Sequence, residues 1–197
     1  RRLVITNYHV VQEHDDVLLY FPAFISGRLL TDREVYRKAI RKRMGIKGRV
    51  LARDKKRDLA LIQLSRIPRG VKSLRLARVS SKGAERVHTI GNPGSSPKLW
   101  RYTARKVERV ERARFLATGG PGSKFRMEVS ARMVFTDTPS KKGESGGPLF
   151  NDKAELVGIT QGFIPTSGTG LFVDISELWQ FLVNSKVIKK NPMKTVD

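Results

Sequence analysis

Short apolar runs separated by turn residues make up most of the chain. Residues 3–6 and 17–21 are apolar and partly β-branched, which is typical of strands. The same pattern predicts strands at 48–52, 59–64, 86–90, 101–110, 125–131, 134–136, 148–150, 156–160 and 170–174, with loops at 91–98, 119–124 and 165–168. Many short strands with few helices predict an all-β sandwich or barrel.

Helical signals are confined to a few segments. Residues 32–44 predict a helix with Asp32 as N-cap and Gly45 as stop, and its apolar face would contain Val35, Tyr36, Ala39 and Ile40. Residues 176–183 predict a C-terminal helix with Ser176 as cap, whose core-facing residues would be Leu178, Trp179, Leu182 and Val183. Residues 7–11 predict a turn or a single-turn helix, and the tail from Asn184 is predicted to be poorly ordered.

A gap in the strand pattern at 72–84 divides the strands into two groups. We therefore predict an N-terminal barrel at 1–75, a C-terminal barrel with its helix at 76–183, and a tail at 184–197. The first barrel would contain a basic insertion at 26–48.

Charge and composition narrow the classes of function. The 197 residues include 39 Lys and Arg against 18 Asp and Glu, a net charge of +21, and no cysteine. The lack of cysteine excludes disulfides, cysteine nucleophiles and thiolate metal sites, and the longest apolar run, 17–25, contains Pro22 and is too short to span a membrane. The positive field favours an acidic partner, with the densest cluster at 33–57, although no nucleic-acid motif lies there. The alternative is a basic surface that is merely solvated.

The segment Gly143-Glu144-Ser145-Gly146-Gly147-Pro148 is the strongest candidate for chemistry. Glycine lacks Cβ, so the backbone can direct the amides of Gly143 and Ser145 at one point, where a carbonyl oxygen would become an oxyanion. Ser145 would be the nucleophile. The alternative is a glycine-rich turn that leads into the strand at 148–150.

A serine nucleophile needs a general base and a carboxylate that orients it. The histidines are His9, at a structured junction after a strand; His14, in a polar run expected to be an exposed loop; and His88, expected to be a strand residue with its own hydrogen bond. Asp58 opens an apolar strand and is the favoured carboxylate. Asp54 is the rival, although its basic neighbours indicate a solvent-exposed loop.

Three blocks follow one another in the order His, Asp, Ser: Ile5-Thr6-Asn7-Tyr8-His9-Val10-Val11, Asp58-Leu59-Ala60-Leu61-Ile62 and the serine segment at 143–148. They resemble the catalytic blocks of trypsin-fold serine proteases, in the chymotrypsin-type order. The HtrA/Do branch is more similar still, because its motifs also resemble residues 90–94, 136–137, 156–159 and 170–173. The resemblance covers nearly the whole chain.

The resemblance implies a chymotrypsin-like double β-barrel with the active site between the barrels and no cofactor or metal. It also implies a serine endopeptidase with the triad His9, Asp58 and Ser145 and an oxyanion hole of the Gly143 and Ser145 amides. Block alignment places the specificity pocket at Pro139, Ser140, Gly162, Phe163 and Gly170, which favours cleavage after small or aliphatic residues because no aspartate lies at the floor. A bacterial envelope, periplasmic or secreted location is implied by resemblance alone.

Three departures from the family pattern accompany this resemblance. Only eight residues precede His9, so we expect an N-terminally truncated first barrel with an open edge, which could leave this chain inactive. The insertion at 26–48 is longer and more basic than the family pattern, and no PDZ domain is recognised after residue 183. Two alternatives to a simple endopeptidase stay open: a non-catalytic basic module of the same fold, and a protease that its insertion recruits to an acidic partner.

Overall fold

The structure is a computed structural model that describes residues 2–120 and 122–193. Its helices are α1 (Tyr8–Val11), α2 (Arg33–Arg41) and α3 (Ile175–Asn184). Its strands are β1 (Leu3–Thr6), β2 (Asp16–Leu19), β3 (Phe24–Ile25), β4 (Arg28–Leu29), β5 (Ile46–Asp54), β6 (Leu59–Leu64), β7 (Arg75–Leu76), β8 (Arg86–Gly91), β9 (Arg101–Thr118), β10 (Arg126–Thr136), β11 (Pro148–Asn151), β12 (Glu155–Ile164) and β13 (Thr169–Asp174). No helix in these ranges is long and apolar enough to cross a membrane.

The strands form two main sheets, as the predicted two-barrel fold requires. β1, β6, β5 and β2 form an antiparallel sheet in that order, with β1 and β2 at its edges among the described residues. The second sheet has the order β11-β8-β9-β10-β13-β12-β7, and an additional pairing of β11 with β12 closes six of these strands into a barrel. β3 and β4 form a separate hairpin. The mostly β, trypsin-like architecture with a C-terminal helix is therefore confirmed.

Strand β6 joins the two halves of the molecule. Its side chains alternate, as in any strand. Leu59 and Leu61 enter the large core of the second barrel, whereas Ala60, Ile62 and Leu64 enter the smaller core of the first sheet. Both faces of β6 are thus buried, which explains why its sequence is a continuous apolar run. Asp58 precedes this strand and consequently lies at the junction of the two sheets.

Helix α2 is shorter than predicted, and its apolar face is largely exposed. It begins after the predicted N-cap Asp32, whose carboxylate accepts a hydrogen bond from the Glu34 amide. It ends at Arg41 because Arg43 adopts a left-handed conformation (φ +52°) and residues 39–44 close a Schellman motif. Gly45 is therefore not the stop, and Tyr36 is the only buried residue of the helix.

Helix α3 begins earlier than predicted. Asp174, and not Ser176, is its N-cap, because the Asp174 carboxylate accepts hydrogen bonds from the amide and the hydroxyl of Ser176. Leu178 and Leu182 are buried as predicted, whereas Trp179 and Val183 are only half-buried. The predicted disorder of the tail is wrong up to residue 193, since Val187, Ile188 and Met193 pack against the main core; residues 194–197 lie outside the described part.

The other differences concern strands. The predicted strands at 125–131 and 134–136 are one strand, β10, because Arg132 and Met133 continue the alternation of exposed and buried residues. β9 extends eight residues beyond its predicted end at Val110. The sequence pattern missed β3, β4 and β7. β7 pairs with β12 of the second sheet and spans residues 75 and 76, where we placed the domain boundary, and that boundary stays a prediction.

Candidate active site

His9 lies in the single turn of α1, directly after β1. The buried side chains of Tyr8 and Val11 fix this turn against the two cores. The His9 side chain keeps 21% of its surface exposed, so the imidazole is accessible from the cleft.

Asp58 is completely buried and lies against His9. Its Oδ2 is 2.7 Å from His9 Nδ1, and its Oδ1 accepts a hydrogen bond of 2.9 Å from the His9 amide. The residue adopts a left-handed backbone conformation (φ +56°), which aspartate tolerates better than most residues. The Asn7 side chain donates a 2.9 Å hydrogen bond to the Asp58 carbonyl and so holds this turn.

An ion-pair network ties the turn before Asp58 to the second barrel. Arg57 donates hydrogen bonds to Asp54 at 2.8 Å and to Glu177 at 2.6 Å. Glu177 belongs to α3, which follows the last strand of the second barrel. Burial opposes the charge of Arg57, but the hydrogen bonds with Asp54 and Glu177 raise its pKa overall. The Ser130 amide also donates to the Lys56 carbonyl at 2.8 Å. Sequence reasoning missed this network, because 120 positions separate Arg57 from Glu177.

Ser145 lies in a tight turn that is anchored to β12. The Gly146 amide donates to the Thr160 carbonyl at 2.9 Å, and the Thr160 amide donates to the Gly147 carbonyl at the same distance. The Ser145 hydroxyl donates to the Gln161 carbonyl at 3.4 Å. The hydroxyl is therefore directed to β12 in this structure and not to His9.

The serine turn nevertheless packs directly on the histidine block. A Cβ added at Gly146 would lie 2.2 Å from Thr6 Oγ1 and 3.5 Å from the Asn7 amide nitrogen. Only a glycine allows so close an approach, and its φ of +79° also favours glycine. Thr6 and Asn7 immediately precede α1, so the serine turn lies next to the block that contains His9.

Two backbone amides of the serine turn have no hydrogen-bond acceptor among the described residues. Within residues 2–120 and 122–193, the amides of Gly143 and Ser145 donate to no other group. Gly143 has φ +97°, and a Cβ there would lie 2.8 Å from the Asn92 carbonyl oxygen. The Gly94 amide donates to the Lys142 carbonyl at 2.8 Å, which turns that carbonyl toward the loop at 91–98.

A cavity of about 480 Å³ adjoins the serine turn. Three of the predicted pocket residues line it, namely Pro139, Ser140 and Phe163, together with Gly94, Ser95, Lys141, Lys142, Pro165 and Gly168. Gly162 and Gly170 do not line it. The Gly162 carbonyl accepts a hydrogen bond from the Ser140 hydroxyl, and Gly170 packs against Thr136 and Thr138.

The rival candidates lie elsewhere. His14 is exposed in a loop, as predicted. His88 is a buried strand residue that hydrogen-bonds to Tyr102 and Asp152, as predicted. Asp54 is not in a solvent-exposed loop, because it ends β5 and is largely buried with Arg57. In the described part of the chain, no three His, Asp or Glu residues are grouped so that they could hold a metal ion.

The basic insertion packs on the loop that borders the serine turn. Arg33 donates to the carbonyls of Pro93 and Ser96 at 2.5 and 2.7 Å. Tyr36 makes an edge contact with Trp100 at 5.8 Å between ring centroids and accepts a 3.2 Å hydrogen bond from its indole. The insertion is therefore part of the structure around the site.

Comparisons with known proteins agree with this architecture. The family model of the trypsin-like peptidase domain matches residues 1–159. A comparison with curated proteins finds no significant match.

Solved structures with the same fold include proteases. The inactive form of the Rv3671c protease shares 21% identity and a TM-score of 0.61, over 93% of this chain and 78% of that one. The active form of Rv3671c from M. tuberculosis shares 22% identity and a TM-score of 0.61, over 92% and 68%. The HtrA-type protease AlgW with a decapeptide shares 18% identity and a TM-score of 0.60, over 97% of this chain and 49% of AlgW. At these identities the similarity shows the fold.

Proposed function

Since the chain belongs to the trypsin-like peptidase domain family, we propose that it is a serine endopeptidase with the triad His9, Asp58 and Ser145. The observation that carries the proposal is the buried Asp58 carboxylate at 2.7 Å from His9 Nδ1, beside a serine turn packed on Thr6. A buried carboxylate needs a partner, and this one has the imidazole.

The proposed reaction begins at the imidazole. An ionised Asp58 only accepts hydrogen bonds, so His9 carries its proton on Nδ1 and leaves Nε2 as the base. The Ser145 hydroxyl turns from Gln161 toward Nε2, gives up its proton and attacks the peptide carbonyl. The Gly143 and Ser145 amides stabilise the oxyanion.

The reaction then proceeds in two halves. His9 returns its proton to the amine as the C–N bond breaks, which leaves an acyl group on Ser145. Water, deprotonated by His9, attacks this ester and releases the acid. The side chains of this chain and water suffice, so the proposal includes no cofactor.

The pocket supports a small or aliphatic residue before the cleaved bond. Pro139 and Phe163 give it an apolar lining. No carboxylate lines it in the described part of the chain, so a lysine or arginine side chain has no counter-charge there.

Hydrolysis of peptide p-nitroanilides by the folded protein tests the proposal. We expect the highest kcat/KM with Ala or Val before the nitroanilide, and a loss of roughly 10⁶-fold in kcat for Ser145→Ala. Ser73→Ala, which changes an exposed serine outside the triad and the pocket, is the matched control and keeps its turnover within a few-fold. Turnover that survives Ser145→Ala contradicts the proposed nucleophile.

A second proposal concerns the insertion. Arg37, Lys38 and Arg41 of α2 and the C-cap Lys42 are exposed, and only Arg37 has a carboxylate partner among the described residues. This surface suits an acidic partner that recruits the enzyme. Poly-glutamate should bind with steep salt dependence, and Lys38→Glu/Arg41→Glu should weaken binding without changing nitroanilide hydrolysis. Binding unchanged by the double charge reversal contradicts this proposal.

A further inference from the structure

Arg105 is a buried cation near the start of β9. Strand residues whose side chains face a core are normally apolar. Only 4% of the residue is exposed. Its guanidinium lies 5.5 Å from the centroid of the Phe172 ring, donates to Thr89 Oγ1 at 3.2 Å and donates to the Thr138 carbonyl. Burial lowers the pKa of Arg105, while the carboxylates of Glu144 and Asp137 oppose this effect.

Glu144 is the counter-charge of Arg105 and the residue immediately before Ser145. Its Oε2 lies 3.5 Å from the Arg105 guanidinium, and the two side chains are exposed by 6% and 1%. The same Oε2 accepts a 2.7 Å hydrogen bond from the Lys141 amide. The stem of Glu144 lies against Gly91, where an added Cβ would be 2.8 Å from Glu144 Cγ. The Glu144 side chain is therefore buried between the Arg105 guanidinium, the Lys141 amide and Gly91.

The pair contacts the start and the middle of one short segment, residues 138–144. Arg105 binds the carbonyl of Thr138, and Glu144 binds the amide of Lys141. Residues 138–144 contain the pocket residues Pro139 and Ser140 and the free amide of Gly143. This segment has turns but no strand or helix. The Glu144 amide donates to the Lys141 carbonyl at 3.0 Å and the Gly94 amide donates to the Lys142 carbonyl at 2.8 Å, and the contacts of the pair add to these two bonds.

Removing two charges from water costs free energy. A buried ion pair in a core therefore needs an explanation in contacts that apolar residues cannot make. Replacing a buried ion pair by apolar residues is often neutral or stabilising, which makes the pair weak evidence for stability alone. Here its hydrogen bonds lead to the Thr138 carbonyl and the Lys141 amide, which an apolar pair cannot bind. An apolar pair would leave the Lys141 amide without its acceptor and the Thr138 carbonyl with only the hydrogen bond from the Thr136 hydroxyl.

We propose that Arg105 is a positioning residue for the oxyanion hole, acting through Glu144 to hold the segment 138–144 in its catalytic shape. The proposal deepens the proposed function and rests on it. Loss of the cation leaves Glu144 buried without its counter-charge, so the carboxylate moves or becomes protonated and releases the Lys141 amide. The Gly143 amide then loses its fixed direction.

Kinetics on four variants test this role. Arg105→Met and Glu144→Gln should lower kcat by about 100- to 1,000-fold, the effect of losing one oxyanion donor. The affinity for a peptide boronic acid, whose adduct is tetrahedral, should fall in the same proportion. Arg105→Lys, which keeps the charge, should recover part of the loss. Arg114→Met, the same change on an exposed arginine of the same strand, is the matched control and should leave kcat unchanged.

A double variant separates positioning from stability. Arg105→Met/Glu144→Leu removes both charges and should unfold at a urea concentration near that of the wild type, yet keep the low kcat. If it regains both stability and kcat, the pair is merely structural and the proposal is wrong. The proposal is equally wrong if folded Arg105→Met has wild-type kcat and boronate affinity.

Amide hydrogen exchange makes the test independent of turnover. In Arg105→Met the amide of Lys141 should exchange at least tenfold faster than in the wild type, whereas the Thr160 amide, bound to Gly147, should not change. If the wild-type protein shows no hydrolysis that depends on Ser145, the proposed function is wrong. The exchange rate of the Lys141 amide would still show whether Arg105 and Glu144 hold the segment 138–144. Unchanged exchange at Lys141 contradicts the inference itself.

Discussion

His9 Nδ1 lies 2.7 Å from Asp58 Oδ2, and the other oxygen of the same carboxylate accepts a hydrogen bond from the His9 backbone amide. One side chain therefore fixes both the ring and the backbone of the proposed base. The left-handed turn at Asp58 and the Asn7 side chain that binds its carbonyl maintain this geometry.

Asp58→Asn tests the role of this carboxylate. Asparagine tolerates the left-handed conformation, so the fold should persist. Its amide can donate to Nδ1 and thereby favour the tautomer with a protonated Nε2, which cannot accept the serine proton. We expect kcat to fall by about 10⁴-fold, as in other triads. Asp152→Asn, a surface change, should leave kcat unchanged, and a loss of less than tenfold in Asp58→Asn would contradict the assigned role.

Gly146→Ala tests the contact between the serine turn and the histidine block. The new Cβ would lie 2.2 Å from Thr6 Oγ1 at a φ of +79°. The left-handed conformation alone costs about 1–2 kcal/mol, and the overlap adds to this. Urea unfolding should show a lower midpoint, and hydrolysis should fall because the serine moves away from His9. Thr6→Ala added to Gly146→Ala should recover part of both losses, and an unaffected single variant would refute the close contact.

Glu177→Gln tests the connection between the turn before Asp58 and the second barrel. The change weakens the hydrogen bonds from Arg57 and Arg112, in a residue whose side chain is 5% exposed. Hydrogen bonds to charged groups contribute about 1.5–3 kcal/mol, so the free energy of unfolding should fall by about 2 kcal/mol. Urea unfolding measures the change, and Arg114→Met, which breaks an exposed pair, should leave the midpoint unchanged. Equal decreases of the urea midpoint in Glu177→Gln and Arg114→Met would contradict the expectation that the buried network stabilises the fold more than the exposed pair does.

The pH dependence of one surface group follows from its contacts. Hydrogen bonds from Arg86, and then from His88, lower the pKa of Asp152. The folded state therefore favours the ionised carboxylate, and this stabilisation is present above the ordinary aspartate range and is lost as the pH falls through the lowered value. Arg86→Gln should raise the pKa of Asp152 in a carboxyl NMR titration. An unchanged titration would show that the Arg86 contact is absent in solution.

The sequence predicted the fold and the candidate triad because both are encoded locally. The alternating strands, the glycine-rich serine turn and the strand junctions at His9 and Asp58 each occupy a few adjacent residues. β6 illustrates the point, since its apolar run at 59–64 predicted the strand that the structure contains, although burial on both of its faces became evident only from the structure. The resemblance to a known family then supplied the connection between these blocks.

Interactions between distant residues were missed for a physical reason. Arg57 and Arg105 stand among many other basic residues, and nothing in the sequence distinguishes a buried arginine from an exposed one. Their carboxylate partners become recognisable only in the folded chain, where Glu177 of α3 binds Arg57 and Glu144 lies against Arg105 within the second barrel. The end of α2 was also misplaced. The pattern assigned the stop to Gly45, whereas Arg43 adopts the left-handed conformation that ends the helix.

The most direct test of the account is to map the residue that a fluorophosphonate modifies in the folded protein. Tryptic mass spectrometry should find the adduct on Ser145, with slower modification in His9→Ala and none in Ser145→Ala. A folded protein that is not modified, or one that is modified equally well in Ser145→Ala, would contradict the claim that His9, Asp58 and Ser145 form a catalytic triad.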